Sequence, residues 1–421
     1  MRIRKLFNKI HLWFGLTSGL IVFLSIFPAS IFVWEEELTN WWYSEYIYVE
    51  PQAIKQSLSA LYQIAQSHYP EREVLWMDIQ AKPDKSYVFQ TYKQASTPGW
   101  TYFSELEYWD KIHVNPYSGE ILGVVDMRYD WIYLCRMMHQ QLLLNYEIGH
   151  WPVAIATLIL FLMVMSGIVL WWPGNKNAIK QRFGIKWKNV RWRRINYDLH
   201  NVGGFYCFFF ILIFAVTGLV WSFEWWTNGI YRILGDNPKE VFKNEIHTIP
   251  PTSSPGGNSP LDNVLINLIE HKPNARLYSI SIDKDTEQNI KEFSAWITYD
   301  ENSLWEESDY LFFHPNTGEV IHQVTHKDKS LGEKWRNSNY AIHVGSIWGY
   351  PTKALASLIS LFCAFLPLSG FFIWYGRKRK SNPAARSHST ANPRISRLVG
   401  LPRRNTTNSR LSSAPPQTGL K

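Results

Sequence analysis

Cysteine is scarce in this chain, and the patterns that mark nucleotide-binding enzymes are missing. Only three cysteines occur in 421 residues, at Cys135, Cys207 and Cys363, and no C-x-x-C spacing is present. This usage argues against a disulfide framework and against a zinc ribbon. No G-x-G-x-x-G motif follows a predicted strand and no P-loop pattern occurs, so the sequence predicts neither a nicotinamide nor a flavin domain.

Charged residues are nearly absent from four apolar blocks. Each block has about 20 residues, enough for a helix to cross a hydrocarbon core of about 30 Å. Aromatic residues make up 16% of the chain, with 21 tryptophans, which suits a protein that meets two membrane–water interfaces. We therefore predict four transmembrane helices in contact with a lipid bilayer. They cover approximately residues 11–34, 151–173, 201–225 and 351–375.

Basic residues cluster beside the apolar blocks on one side of the predicted membrane. They are concentrated at the N-terminus, in residues 174–199 and in the run Arg377–Lys380, whereas the two long connections carry more acidic than basic residues. The positive-inside rule then places both termini in the cytoplasm and the long connections outside. Because the same rule accounts for the basic runs, no nucleic-acid partner is predicted. No A-x-A cleavage pattern follows the first block, so we interpret it as a retained helix.

One pattern occurs twice, 189 residues apart. His11 is followed by Gly15 and Glu35, and His200 is followed by Gly204 and Glu224, with identical spacings. Each copy predicts a membrane helix with an imidazole at its start and a carboxylate at its end. Four glycines near these histidines, Gly15, Gly19, Gly203 and Gly204, would allow a flat ring to approach closely.

The two long connections also resemble each other. Each predicts an amphipathic helix, alternating strands and a hairpin whose turn contains proline and glycine. This pattern indicates a small α+β unit in each half and hence an internal duplication. In the first half the segments are 51–62, 74–79, 86–92 and 114–123, and in the second they are 261–270, 278–282, 293–299 and 313–322.

The predicted organisation therefore has eight segments. Residues 1–38 hold a cytoplasmic N-terminus and the first helix. Residues 39–150 and 226–350 form the two extracytoplasmic domains. The remaining segments are the second helix at 151–173, a basic cytoplasmic loop at 174–200, the third helix at 201–225, the fourth helix at 351–376 and a disordered basic tail at 377–421. Within the second domain, residues 250–260 are predicted to form a linker.

These motifs together resemble the PepSY-associated transmembrane family. They are the H-x-x-x-G helix ending near Trp-Glu, the outer P-x-[ST]-G-E hairpin, and the histidine that precedes a Ser-Gly and tryptophan-containing return helix. The resemblance covers about residues 5–380. It implies four membrane helices with two PepSY-like α+β domains in a bacterial inner membrane. For members that act as ferric-siderophore reductases, it also implies two b-type haems and a ferric siderophore as substrate. The family's membrane histidines fall on His11, His139, His200 and His343.

The chemistry of the four histidines agrees with this resemblance. Haem iron with two protein ligands needs two imidazoles that face each other, and helix bundles commonly hold cofactors between facing helices. The duplication makes His11 and His200 equivalent near the cytoplasmic face, and His139 and His343 equivalent near the outer face, and this could place one haem near each face. The sequence alone leaves open which histidine pairs with which. The alternative is that all four are interfacial histidines without a ligand. His150 competes with His139 for the outer site because it lies closer to the second span.

Three functions remain open at this point. The first is a haem oxidoreductase that takes electrons from quinol or a separate donor and reduces ferric iron in a siderophore. The second is a membrane-anchored binding or regulatory protein without redox activity. The third is an iron or ferric-chelate carrier, against which the small number of charges within the spans argues. The acidic residues Glu35, Glu36, Glu37 and Glu224 are interpreted as charged helix ends at the interface.

Overall fold

The computed structural model describes residues 2–174, 179, 182–245, 247–250, 257–285, 287–299 and 304–381. Residues 1–376 belong to one compact unit, and a second unit begins at Arg377. The predicted disordered tail lies outside the described residues from position 382 onward, as do residues 251–256 of the predicted linker.

The described residues form helices and strands in the following order. The helices are α1 Arg2–Phe32, α2 Glu35–Trp42, α3 Ser44–Ile47, α4 Leu58–His68, α5 Trp131–Gln141, α6 Tyr146–Trp171, α7 Trp192–Asp198, α8 Gly204–Ser222, α9 Glu224–Ile233, α10 Pro260–His271, α11 Leu331–Val344 and α12 Tyr350–Ser381. The strands are β1 Val74–Gln80, β2 Tyr87–Gln94, β3 Leu106–Val114, β4 Ile121–Asp126, β5 Ala275–Lys284, β6 Ile290–Tyr299, β7 Ser308–Phe313 and β8 Val320–Val324.

Four helical stretches among the described residues are long and apolar enough to cross a membrane: α1, α6, α7–α8 and α12. A π-helical segment, Leu199–Gly203, joins α7 to α8, so these two helices form one span from Trp192 to Ser222. The prediction of four spans agrees with this result, but the bounds differ. The first helix begins nine residues before His11 and ends at Phe32, and Glu35 starts a separate helix. The predicted basic loop 174–200 likewise includes α7.

The two long connections together form one eight-stranded sheet. All neighbours are antiparallel, in the order β4-β3-β2-β1-β5-β6-β7-β8. The first four strands come from one long connection and the last four from the other. The sequence predicts two separate outer units, but hydrogen bonds between β1 and β5 join them edge to edge. Pairing covers an edge that would otherwise expose unpaired backbone groups.

Side chains reinforce the seam between β1 and β5. The Ser279 hydroxyl donates to the Asp78 carboxylate at 2.6 Å across the paired strands. On the helical layer, Asp262 of α10 accepts from the backbone nitrogen and the hydroxyl of Ser59 on α4, at 2.8 and 2.6 Å. One apolar core contains residues of both halves, including Leu61 of α4, which is fully buried. The two halves therefore share a sheet, a core and a helix contact.

The first outer helix begins later than the sequence predicts. Residues 51–57 are not helical, and α4 starts at Leu58 after Ser57, whose hydroxyl accepts from the Ala60 backbone nitrogen. Such a hydroxyl cap satisfies one of the free donors of the first turn. The Gln56 backbone nitrogen donates to the Pro116 carbonyl at 2.8 Å, which ties the preceding segment to the hairpin instead.

Short capped helices connect the sheet to the membrane. Asp130 caps α5 by accepting from the Tyr133 backbone nitrogen at 2.6 Å. Ser330 and Glu333 form a capping box at the start of α11. The joint after α5 is tight, because a Cβ at Gly149 would lie 2.0 Å from the Gln141 carbonyl oxygen. These caps fix where the two helices begin, and each helix carries one candidate histidine.

Candidate functional site

The inner pair of histidines lies between α1 and the π-helical segment. His11 and His200 have ring centres 6.3 Å apart, with ring planes at 88°. His11 lies inside α1 and not at its start, and His200 lies at the junction of α7 and α8. π-helical turns are rare and occur frequently at functional sites. The structure thus brings these two pseudo-symmetric residues together.

The outer pair lies between the two short helices that leave the sheet. His139 of α5 and His343 of α11 have ring centres 6.0 Å apart, with ring planes at 37°. Because α5 packs against α1 and α11 packs against α8, each imidazole reaches a membrane helix of its own half. The structure therefore brings these two residues together as well.

A hydroxyl on a neighbouring helix fixes each ring of the inner pair. His11 Nδ1 is 2.9 Å from Ser166 Oγ, and His200 Nδ1 is 2.6 Å from Ser369 Oγ. Both serine hydroxyls donate their own proton to the carbonyl three residues earlier, at 2.9 and 2.8 Å. The hydroxyl oxygens therefore accept from Nδ1–H, which leaves Nε2 with its lone pair.

The outer pair has the same arrangement. His139 Nδ1 is 3.0 Å from Ser25 Oγ, which donates to the His139 carbonyl at 2.7 Å. His343 Nδ1 is 2.8 Å from Thr217 Oγ1, which donates to carbonyls of its own helix. Ser25 and Thr217 are not equivalent by the 189-residue offset, so the two halves reach the same arrangement from different positions.

Each of the four rings keeps one nitrogen available for a ligand. Within the described part of the chain, Nε2 of these histidines makes no hydrogen bond, whereas Nδ1 is engaged in every case. Burial lowers the pKa of His139 and His343, so both are neutral at pH 7. A neutral imidazole oriented by a hydrogen bond at its other nitrogen is the usual form of a metal-ligating histidine.

The ring separations fit a metal ion held between two imidazoles. A metal–imidazole bond is about 2 Å long and the ring centre lies about 1 Å beyond the nitrogen, so two rings on opposite sides of one ion have centres about 6 Å apart. The measured values are 6.3 and 6.0 Å. The donor set, two imidazoles per site, would suit a haem iron.

The two pairs occupy different depths of the membrane region. His11 belongs to the inner pair, and Ser25 contacts His139 of the outer pair. These two residues are 14 positions apart on the same helix. At a rise of 1.5 Å per residue this corresponds to about 20 Å along the helix. The two pairs therefore lie toward opposite ends of the bundle.

Glycines adjoin three of the four imidazoles. A Cβ at Gly167 would lie 3.6 Å from Cε1 of His11. A Cβ at Gly218 would lie 3.4 Å from Cε1 of His343, and a Cβ at Gly370 would lie 3.3 Å from Cε1 of His200. These are not the glycines that the sequence singles out. Those glycines face side chains of neighbouring helices: Gly15 faces Met163, Gly19 faces Pro367 and Gly203 faces Phe362. The missing Cβ at each position therefore allows the helices to pack closely. Beside Gly204 nothing lies within 4 Å.

His150 lies at the same level as the outer pair but has other neighbours. It lies within α6, one turn after its start, and its ring stacks on Tyr146 at 4.8 Å and contacts Trp151 at 5.7 Å. Among the described residues, its Nδ1 has no hydroxyl partner of the kind that orients His139. The ring that faces His343 at 6.0 Å is that of His139.

A cavity of about 810 Å³ surrounds the outer pair. It extends from the membrane helices to the sheet and includes His139, His150 and His343 in its lining, together with Trp296 of β6 and Tyr310 of β7. Cavities of this size commonly hold a cofactor or a small ligand.

The orienting hydroxyls are functional candidates that reasoning from sequence did not assign. Ser166 and Ser369 stand directly before Gly167 and Gly370 in the two Ser-Gly pairs, which mark the return helices. Their repetition is a detectable signal. Ser25 and Thr217 carry no such signal because they occupy different positions in the two halves.

The described histidines of the sheet do not gather into a further metal site. No group of three potential metal-ligating side chains occurs among the residues that the structure describes. His113 donates to or accepts from Ser86 Oγ at 3.2 Å, and His247 Nε2 lies 2.7 Å from Glu292. These contacts account for the two side chains within the sheet.

Four apolar helices of membrane-spanning length, joined to an antiparallel sheet, define a multi-pass membrane protein. A family model, the PepSY-associated TM region, matches residues 8–377. The chain belongs to this family, as the motifs predict. A comparison with curated proteins found no match.

Proposed function

We propose that the protein is an inner-membrane haem oxidoreductase that carries electrons across the membrane and reduces ferric iron in siderophores. The observation that carries the proposal is the repeated site: two histidine pairs near opposite ends of the bundle, each with both Nδ1 atoms engaged and ring centres about 6 Å apart. The identical order of helix, four strands and helix in each half supports an internal duplication of this unit.

The four histidines would hold two b-type haems, one per pair, and each haem would supply a one-electron carrier. The serine and threonine hydroxyls keep the imidazoles in one tautomer and prevent their rotation. The surrounding helices keep bulk water from the rings, because α1, α6, α8 and α12 are apolar along most of their length. Each ring therefore needs little rearrangement when the charge of the site changes.

The electron balance requires a donor and an acceptor. Quinol or a separate protein on the inner side would be oxidised, and the ferric ion of a siderophore on the sheet side would be reduced to ferrous iron. Ferrous iron binds hard oxygen ligands less tightly, so reduction would release the metal. The basic residues near the inner ends of the helices favour cytoplasmic termini and an extracytoplasmic sheet.

An absorption spectrum of the detergent-purified full-length protein, oxidised and then reduced with dithionite, tests this proposal first. The amount of haem per chain is determined on the same sample. We expect a low-spin b-type spectrum and two haems per chain. Substitution His200→Ala or His343→Ala should each remove one haem, and both together should remove two. His271→Ala, an exposed histidine of α10, is the matched control and should retain two.

A colourless protein purified from haem-replete cells would contradict the oxidoreductase proposal. The function would then lie in the outer sheet, as a membrane-anchored binding or regulatory protein. Two haems in the unaltered chain, with reduced protein reoxidised by a ferric siderophore but not by its gallium complex, would support the complete proposal.

A further inference from the structure

The cavity around the outer histidine pair changes character along its length. Among the membrane helices its lining is apolar, with side chains such as Ile26, Leu160 and Ile211. Toward the sheet its lining includes two arginines, Arg136 of α5 and Arg336 of α11. An apolar space that ends at two guanidinium groups fits an amphipathic ligand with anionic groups at one end.

Arg136 lies one helical turn before His139 on the same helix. Its Nε atom is buried and has no hydrogen-bond partner among the residues that the structure describes. The guanidinium lies over the rings of Phe32 and Tyr133, at 6.0 and 5.5 Å. Buried polar groups nearly always have a partner, so an unsatisfied donor that lines a cavity points to a ligand group there.

Arg336 approaches the same cavity from the opposite helix. Its guanidinium carbon is 6.0 Å from the ring centre of Trp221, and Trp221 in turn contacts His343 with ring centres 5.4 Å apart. Arg336 lies seven positions before His343, or about 10 Å along α11 at 1.5 Å per residue. The two arginines therefore flank the histidine pair on its sheet side.

Two carboxylates in this region are possible competitors for the arginines. Glu245 lines the cavity, and burial raises its pKa. Glu35 lies near Arg136, and its carboxylate is 3.5 Å from the Tyr340 hydroxyl; burial raises the pKa of this group also. Within the described ranges neither carboxylate makes a salt bridge with Arg136 or Arg336. Arg336 donates one hydrogen bond to the Tyr231 hydroxyl, and Arg136 Nε has no partner, so both guanidinium groups retain donors for another anion.

We propose that Arg136 and Arg336 form a dicarboxylate site that binds the two propionate groups of a porphyrin held by His139 and His343. This inference rests on the proposed function and adds to it the orientation of the outer haem, with its propionates toward the sheet and its apolar edge among the membrane helices. A guanidinium donates two parallel hydrogen bonds to a carboxylate, which makes arginine better suited to this site than lysine.

The experiment uses full-length protein in detergent and the variants Arg136→Gln, Arg336→Gln and their combination. We expect the double variant to lose one of its two haems at least tenfold faster to an excess of apomyoglobin. The midpoint potential of the haem that it retains at that site should also fall, because loss of two positive charges favours the ferric form. Arg232→Gln, an exposed arginine of α9, is the matched control and should leave both properties unchanged.

A second measurement keeps the inference testable if the double variant is unstable. Haem-free protein is titrated with protoporphyrin IX haem and with its dimethyl ester, which lacks the two negative charges. Unaltered protein should bind the diacid at one of its sites at least tenfold more tightly than the ester, and each single arginine variant should show a smaller preference.

The two proposals fail in different ways. If the unaltered chain binds no haem, the proposed function itself is wrong. If it binds two haems, but the arginine variants keep normal dissociation rates and potentials and the ester binds as tightly as the diacid, the dicarboxylate site is wrong and the oxidoreductase proposal stands.

Discussion

At the residue scale, each imidazole is oriented by a hydroxyl whose own proton is already engaged in a hydrogen bond to a backbone carbonyl. Ser166 and Ser369 donate to carbonyls of their own helices and accept from Nδ1–H of His11 and His200. The direction of each hydrogen bond is therefore fixed by the helix and not by the histidine. Nε2 is therefore the nitrogen that stays available before any ligand binds, which would lower the cost of ordering a ligand site.

Removal of one hydroxyl should weaken one haem site without abolishing it. In Ser369→Ala, His200 loses its 2.6 Å contact but keeps the nearby Leu366 carbonyl. Loss of an orienting group of this kind typically costs about 10- to 100-fold in metal affinity. We expect haem dissociation from one site to accelerate by about tenfold and the midpoint potential of that haem to rise, because a less basic imidazole stabilises ferric iron less.

Redox titration and haem transfer measure these two effects. Ser18→Ala is the control, since Ser18 is also a buried helical serine but donates to the Phe14 carbonyl of its own helix. Equal effects of the two substitutions would mean that the Ser369 hydroxyl only packs and does not orient His200.

At the element scale, close helix packing depends on glycines at defined positions. Gly19 of α1 faces Pro367 of α12, and Gly203 at the end of the π-helical segment faces Phe362. Sequence reasoning located the glycine-rich helices but assigned these two glycines to the cofactor. A single sequence gives helix periodicity, but it does not reveal which helix stands opposite each face.

A larger side chain at Gly370 should disturb the inner histidine pair. A Cβ there would already lie 3.3 Å from His200 Cε1, and the two further methyl groups of valine would force the imidazole to move. We expect Gly370→Val to reduce haem content from two to about one per chain, with a spectral change confined to one haem.

Gly229→Val provides the comparison, because nothing lies within 4 Å of a Cβ at Gly229 on α9. Both substitutions replace a helical glycine by a β-branched residue, so they share the intrinsic helix cost. Retention of two haems with unchanged spectra in Gly370→Val would show that His200 tolerates a displaced neighbour.

At the scale of the whole molecule, the sheet combines the two halves into one body. Most strands and the second outer helix were predictable, because alternating residues and P-x-[ST]-G-E turns specify them locally. The β1–β5 pairing was not, because edge strands of two similar units carry no local mark of their partner. The 189-residue repeat suggested the pairing of His11 with His200, and the similar return helices suggested that of His139 with His343. The short helices that carry His139 and His343 depend on contacts distant in sequence, which the sequence does not reveal.

A defect in one half should therefore reach the other half. Asp309 of β7 accepts from Lys272 and Tyr299 at 2.6 and 2.7 Å. Burial alone would raise the pKa of Asp309, but these bonds and one from the His326 backbone outweigh it and lower the pKa. Asp309→Asn leaves Lys272 without its counter-charge and should cost about 3 kcal/mol.

Hydrogen–deuterium exchange of the full-length protein tests this coupling. In Asp309→Asn we expect faster exchange in β1 and β2 of the first half as well as in β6 and β7. The exposed Glu287→Gln is the charge-matched control. In the unaltered protein, the Asp309 contribution is present above the ordinary aspartate pKa and is lost as the pH falls through its lower folded-state pKa. Protection of β1 that stays unchanged in Asp309→Asn would indicate two independent outer domains.

The seam between β1 and β5 has a consequence for biogenesis. It pairs Trp76 with Ser281, which are 281 − 76 = 205 positions apart. At a synthesis rate of about 5–20 residues per second, the second partner emerges on the order of 10–40 s after the first. During that interval the nascent chain must cross the membrane two more times while the β1 edge stays unpaired. A chaperone that shields an open strand edge during this interval should therefore raise the yield of folded protein.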